Sequence, residues 1–234
     1  MNAKHIIKVL QALGDEVIAE HSQRFYKTGK GQYGEGDVFI GIRVPVLRKQ
    51  VKRFQALDLN EITHLLESPI HEVRMFALLL LVERYKKVDV TEQSTIFQIY
   101  KVHTHCVNNW DLVDSSAPYI IGGHLYERNK TLLYDWAESD LLWERRIAIV
   151  ATFYFIRHHQ FDDTLKLSEM LLQDKEDLMH KAVGWMLREV GKRDEVVLKA
   201  FLKKHYHDLP RTLLRYAIEK FAESERQAYL KGLF

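Results

Sequence analysis

Residues 68–85 read SPIHEVRMFALLLLVERY: polar and capping residues, then an apolar run with one small residue, Ala77, inside it. The same plan returns at 108–125 (NNWDLVDSSAPYIIGGHL), 139–155 (SDLLWERRIAIVATFYF), 174–192 (DKEDLMHKAVGWMLREVGK) and 209–223 (LPRTLLRYAIEKFAE). With Ala77, Ala117, Ala148, Ala182 and Ala217 as anchors, the steps are 40, 31, 34 and 35 residues. Helical-hairpin solenoids repeat at about 34–47 residues. The intervening stretches TEQSTIFQIYKVH, KTLLYDWAES and DDTLKLSEMLLQ are themselves helix-like. Alternating strand patterns are short, and no Asn-Gly or Asp-Gly hairpin turn lies between them. The chain is therefore expected to be all-α, an α-solenoid of divergent antiparallel helix pairs of the HEAT-like kind with a concave groove.

The rest of the sequence agrees. Only 4 Pro and 11 Gly interrupt 234 residues, and 47% apolar content supplies a core, which excludes intrinsic disorder. No linker or low-complexity tract appears, so a single domain over 1–234 is expected. The one cysteine, Cys106, excludes an internal disulfide and a cysteine-based zinc cluster. His103 and His105 beside it, and His158 with His159, lack a matching acidic set, so no metal and no cofactor are expected. The longest apolar run, residues 76–82, is far short of the roughly 20 a membrane span needs. The start MNAKHIIKVL lacks signal-peptide architecture. A cytoplasmic protein, nucleoid-associated when bound to DNA, is the expectation.

Net charge is only +2, but it is uneven. Residues 43–53 hold Arg43, Arg48, Lys49, Lys52 and Arg53 and no acid, and residues 181–220 hold ten Lys/Arg against five Asp/Glu. Two basic zones, each +5, leave −8 for the remainder. Such zones suit a polyanion, or serve as solvated helix faces.

Three constellations carry candidate chemistry. In KAVGWMLREVGK, the residues Val183, Met186, Leu187 and Val190 form a core stripe. Trp185 stands opposite it among Lys181, Arg188 and Lys192. That ring either packs on a neighbouring helix or stacks on a nucleic acid. In NNWDLVD, Trp110 and Asp114 are spaced i, i+4 and share a helix face, with Asp111 suited to the first turn. Pro118 cannot donate to the Asp114 carbonyl and is expected to loosen the helix there. In WERRIAIV, Arg145 points away from the core stripe and Arg146 sits on its flank. The glycine-rich stretch GKGQYGEGDVFIG, residues 29–41, is not a Walker loop. It is either a shaped connection into a helix starting near Pro45, or a phosphate contact through backbone N–H groups and Arg43.

These pieces, in order and spacing and nearly end to end, resemble the AlkD-type alkylpurine DNA glycosylases, the DNA alkylation-repair family of HEAT-like repeats. The matching stretches are GQYGEGDVFIGIRVPVLRK, NNWDLVDSSAP, WERRIAIV, HKAVGWMLREVGK and LPRTLLRYAIEKF. The resemblance implies a catalytic set of Asp114, Trp110, Trp185 and Arg146, with Arg145 the one-residue alternative to Arg146. The basic zones and the helical wheel make Arg145, Lys181, Arg188, Lys192, Arg43, Arg48 and Lys49 the expected DNA contacts. The implied activity is hydrolysis of the N-glycosidic bond of cationic alkylated purines, 3-methyladenine and 7-methylguanine, in double-stranded DNA by a monofunctional, monomeric glycosylase. The alternative is a catalytically silent repeat module that binds nucleic acid or serves as a scaffold.

Overall fold

A computed structural model describes residues 2–233. The chain is all-α. Among the described residues, extended pairing amounts to one isolated parallel bridge between Val38 and Ile70. Contacts gather the chain into two compact units, Met1–Ile120 and Ile121–Phe234.

The first unit holds α1 (Ala3–Gln11), α2 (Glu16–Phe25), α3 (Val44–Arg53), α4 (Leu59–Leu66), α5 (His71–Tyr85), α6 (Val90–Val102) and α7 (Trp110–Ala117). Side-chain oxygens cap several starts: Asn2, Asp15, Asp58 and Asp89 accept from backbone N–H groups inside α1, α2, α4 and α6. Pro45 occupies the first turn of α3, where its missing N–H costs nothing. The stretch at 68–85 is the unit's centre. Helix α5 buries 13 of its 15 residues, so it is covered on all sides, and α3, α4, α6 and α7 pack on it. Helix α2 is its opposite, with none of its 10 residues buried.

The second unit holds α8 (Gly123–Leu125), α9 (Thr131–Ala137), α10 (Leu142–Ala151), α11 (Phe153–Arg157), α12 (Asp162–Met170), α13 (Asp177–Gly191), α14 (Glu195–His205), α15 (Arg211–Ala217) and α16 (Glu223–Lys231). Here α13 is central, packed by α10, α11, α12, α14 and α15. It packs most extensively on α15, and Gly184 permits that close approach. A Cβ there would lie 2.5 Å from Tyr216 Cβ and 2.6 Å from the Leu213 carbonyl oxygen. All five anchor alanines, Ala77, Ala117, Ala148, Ala182 and Ala217, are buried, as are Val183, Met186, Leu187 and Val190. The chain passes from α7 to α8 through a π-helical turn, Pro118–Gly122, the loosening that Pro118 predicts.

Candidate active site

Helix α7 begins at Trp110 because Asn109 caps it, its side-chain oxygen accepting from the Trp110 N–H at 2.9 Å. Trp110 and Asp114, one turn apart, are both half-buried. The Trp110 ring is the outer member of an aromatic column. Tyr26 stacks on it with ring centroids 5.3 Å apart, Phe39 stacks on Tyr26 at 4.9 Å, and His71 stacks on Phe39 at 4.4 Å. The exposed Phe25 meets Trp110 edge-on at 5.9 Å. Beyond Asp114 lies the fully buried Tyr100, whose hydroxyl pairs with Ser116 Oγ at 3.0 Å. Burial pushes that phenol up, and the charge of Asp114 adds to it.

Behind the column is a buried ionic cluster. His71 Nδ1 lies 3.0 Å from Asp37 Oδ2, and its Nε2 lies 2.9 Å from Asp111 Oδ2. Arg74 donates to Asp37 at 2.6 Å, to Asn108 Oδ1 at 2.9 Å, and to the carbonyls of Ser68 and Cys106. Asn108 in turn donates to Asp37 at 3.0 Å. Burial, then the nearby charge of Asp111, push the Tyr26 phenol up, so it stays neutral. Burial by itself would raise Asp37, but the His71 hydrogen bond and the Arg74 charge outweigh it and hold the carboxyl below its ordinary range.

The glycine-rich stretch is a shaped connection. Gly41 adopts a φ of 82°, and a Cβ on it would lie 1.9 Å from the Asp15 carbonyl oxygen. The N–H groups of Ile40, Gly41 and Ile42, the ones a phosphate would need, already donate to the buried Glu72 carboxylate at 2.7–3.2 Å. An internal anion therefore fills that nest. Arg43 stays outside, exposed at the start of α3, and Arg48, Lys49, Lys52 and Arg53 continue an exposed basic surface along the helix. Between α2, α3 and α5 lies a cavity of about 520 Å³. Phe25, Ile42, Leu47 and Met75 line it, with Arg43, His71, Glu72 and Asp111 supplying polar groups.

In the second unit, Trp185 is half-buried against Phe153, with ring centroids 5.7 Å apart. The three cations around it are each matched with an acid. Lys181 meets Asp177 at 2.7 Å, Lys192 meets Glu189 at 2.6 Å, and Arg188 pairs with Glu219 and with Glu189. Glu189, buried on the same helix, also takes Arg193 at 3.2 Å. Arg145 is tied to Asp174 at 2.7 Å and to the carbonyls of Ser139 and Asp140. Arg146 is buried and donates to the Leu178 carbonyl at 2.7 Å, in the first turn of α13. Both arginines thus hold neighbouring segments in place.

Tyr26, Asp37, His71 and Arg74 lie outside the three constellations that the sequence singles out. His71 and Arg74 sit inside the apolar α5 pattern, and Asp37 sits in a loop read for its glycines. Three polar residues buried or nearly so (His71, Glu72 and Arg74) within four positions of an apolar helix were the available clue, since buried charge requires partners.

A family model described as "DNA alkylation repair enzyme" matches residues 6–221. No curated protein matches the chain. Among solved structures, the chain is similar to a protein described as "Predicted DNA alkylation repair enzyme from Enterococcus faecalis". The TM-score is 0.71 at 18% identity, over 90% of this chain and 97% of the other, a likeness of fold.

Proposed function

The chain belongs to the DNA alkylation repair enzyme family, and from that premise we propose that it is a monofunctional glycosylase releasing cationic alkylated purines, such as 3-methyladenine and 7-methylguanine, from double-stranded DNA. The observation that carries this reading is the pairing on α7 of a carboxylate, Asp114, with a tryptophan braced by an aromatic column. Alkylation at N3 or N7 makes the purine a cation and already a good leaving group. The glycosidic bond then needs little general-acid help. What remains is stabilisation of positive charge on the deoxyribose as the bond breaks, and placement of a water. A carboxylate does both, as in other oxocarbenium-like glycosyl transfers. Asp114 takes that role. The Trp110 face attracts a cationic nucleotide by about 0.5–2 kcal/mol, which supplements the lability of the damaged base. The reaction so written uses water alone as nucleophile.

DNA contacts in the first unit fall to Arg43, Arg48 and Lys49, exposed along α3. In the second unit they fall to Lys181, Arg188 and Lys192, which exchange a carboxylate partner for a phosphate, with Trp185 as the aromatic contact. Arg146, buried against α13, acts by fixing that helix, and Arg145 by fixing the loop at Asp174. The deciding assay is release of methylated bases from methylated DNA by wild type and Asp114→Asn. Excision is expected to fall at least about 100-fold in the variant, with fold and DNA binding kept. A folded Asp114→Asn protein that excises at the wild-type rate removes Asp114 from the reaction. DNA retention with no base release by wild type favours the binding-module reading instead.

A further inference from the structure

We propose that His71 is a positioning residue for this reaction: donating from both ring nitrogens, to Asp37 and to Asp111, it fixes the start of α7 and the Trp110 ring, and it does so only as an imidazolium. The proposal rests on the reading of Trp110 and Asp114 given above.

A neutral imidazole carries one N–H and one lone pair, whereas carboxylate oxygens only accept. Both ring nitrogens lie within 3.0 Å of carboxylate oxygens, so each contact needs a proton. The acids do not supply it. Asp37 accepts from Arg74 and Asn108 through Oδ1, and Asp111 accepts from the Leu112 N–H through Oδ1. Against burial, the His71 hydrogen bond and the Arg74 charge hold Asp37 below its ordinary range, and a proton on each ring nitrogen satisfies both contacts, with the ring as the cation between the two acids. The groups that face it from the surrounding elements are Tyr26 on α2, Asp37 and Phe39 in the loop, Glu72 and Arg74 on α5, and Asp111 on α7. Burial drives the ring toward neutrality, but Asp111 and Asp37 outweigh it and raise its pKa to about 9.

The link to Trp110 is short. Asp111 is the next residue in the first turn of α7, and Tyr26, whose ring centroid lies 5.2 Å from that of His71, stacks on Trp110. Loss of the ring proton sets a lone pair against a carboxylate at one of the two contacts. It repels the first turn of the helix that also carries Asp114. Misplacement of reacting groups by about 1 Å costs roughly 100-fold in rate, and it appears in kcat more than in KM.

Asp111→Asn separates charge from geometry. An asparagine Nδ2 donates to a neutral Nε2 and keeps the contact, while its oxygen still accepts from the Leu112 N–H. We expect wild-type kcat for methylated-base release to fall roughly 10- to 100-fold as pH rises through about 9, with KM changing less. His71→Gln should be low at every pH. Asp111→Asn should keep its neutral-pH rate within a few-fold and lose the alkaline limb. In parallel, the His71 ring and the Trp110 indole are followed by 15N NMR on the whole chain. The indole should shift with the His71 proton in wild type and not in Asp111→Asn. An alkaline limb shared by wild type and Asp111→Asn overturns the proposal, and so does a folded His71→Gln with wild-type kcat. If His71→Gln does not fold, Asp111→Asn decides. If wild type releases no base, the glycosylase reading falls and the indole titration alone decides the clamp; an indole that ignores His71 overturns it.

Discussion

Replacing Glu72 by glutamine tests the claim that an internal carboxylate, and no external anion, organises the loop ahead of α3. Glu72 Oε1 accepts from the N–H groups of Gly41 at 2.7 Å and of Ile40 and Ile42 at 3.2 Å, and Oε2 accepts from Ile40 at 3.1 Å. Glutamine keeps one acceptor oxygen and turns the other position into a donor facing the Ile40 N–H. Each of three hydrogen bonds drops from the charged class, about 1.5–3 kcal/mol, to the neutral class, about 0.5–1.5 kcal/mol. Glu72 also lies in the first turn of α5, where a negative charge contributes about 0.3–1 kcal/mol. The expected loss is about 3–5 kcal/mol, a large share of a stability of roughly 5–15 kcal/mol. Urea unfolding should show a lower midpoint with an unchanged slope. Glu72→Ala should lose about as much, because it leaves three N–H groups without a partner, partly offset by water from the adjoining cavity. Acetate or phosphate should then stabilise the alanine variant and leave wild type unmoved. A Glu72→Gln protein within about 1 kcal/mol of wild type, or equal anion stabilisation of wild type, refutes the reasoning.

Gly184→Ala should cost about 1–3 kcal/mol in thermal unfolding, because α13 and α15 must separate to admit a Cβ; an unchanged melting temperature would show that Tyr216 and Leu213 yield freely. Stability should also depend on pH through the ionic cluster. The folded-state pKa of His71, about 9, lies above its unfolded value near 6.5, so its contribution is complete below about pH 6.5 and is lost as pH rises toward 9. The span is about 3 kcal/mol, and His71→Gln should lack that alkaline decline. Asp37 has the opposite sign: its depressed folded pKa gives stability that is full above about pH 4 and is lost as pH falls further. Neutralising Lys181, Arg188 and Lys192 together should weaken binding to damaged and undamaged DNA alike. The slope of log affinity on log salt should shrink by about 3; an effect on damaged DNA alone would mean they are not phosphate contacts.

The fold class was legible because it is written in periodicity, which is local. The anchor alanines and the Val183–Val190 stripe needed only a helical wheel to be placed inside. Trp110 and Asp114 were legible for the same reason, being one turn apart on a short motif. The clamp was not, because it is built across distance: His71 reaches back 34 residues to Asp37 and forward 40 to Asp111. The loop's occupant was hidden likewise, Glu72 lying 31 residues from Gly41. The wheel drew Trp185 amid cations but could not draw Glu219, 31 residues from Arg188. Glu189 was in plain view on the same helix, and its burial under Arg188, Lys192 and Arg193 turns that basic surface into a lattice of pairs.

Helices α5 and α2 border the same cavity with opposite degrees of burial. Amides in α5 are released to solvent only when the unit as a whole unfolds. Those in α2, with no buried residue to hold them, exchange through a smaller and more frequent opening. Tyr26 caps the C-terminal end of α2 and is the residue that Trp110 stacks on. The column behind Trp110 therefore has a long-lived end at His71 and a short-lived end at Tyr26. Hydrogen exchange is expected to reveal that difference, with the Tyr26 amide opening well before the amides of α5 around His71.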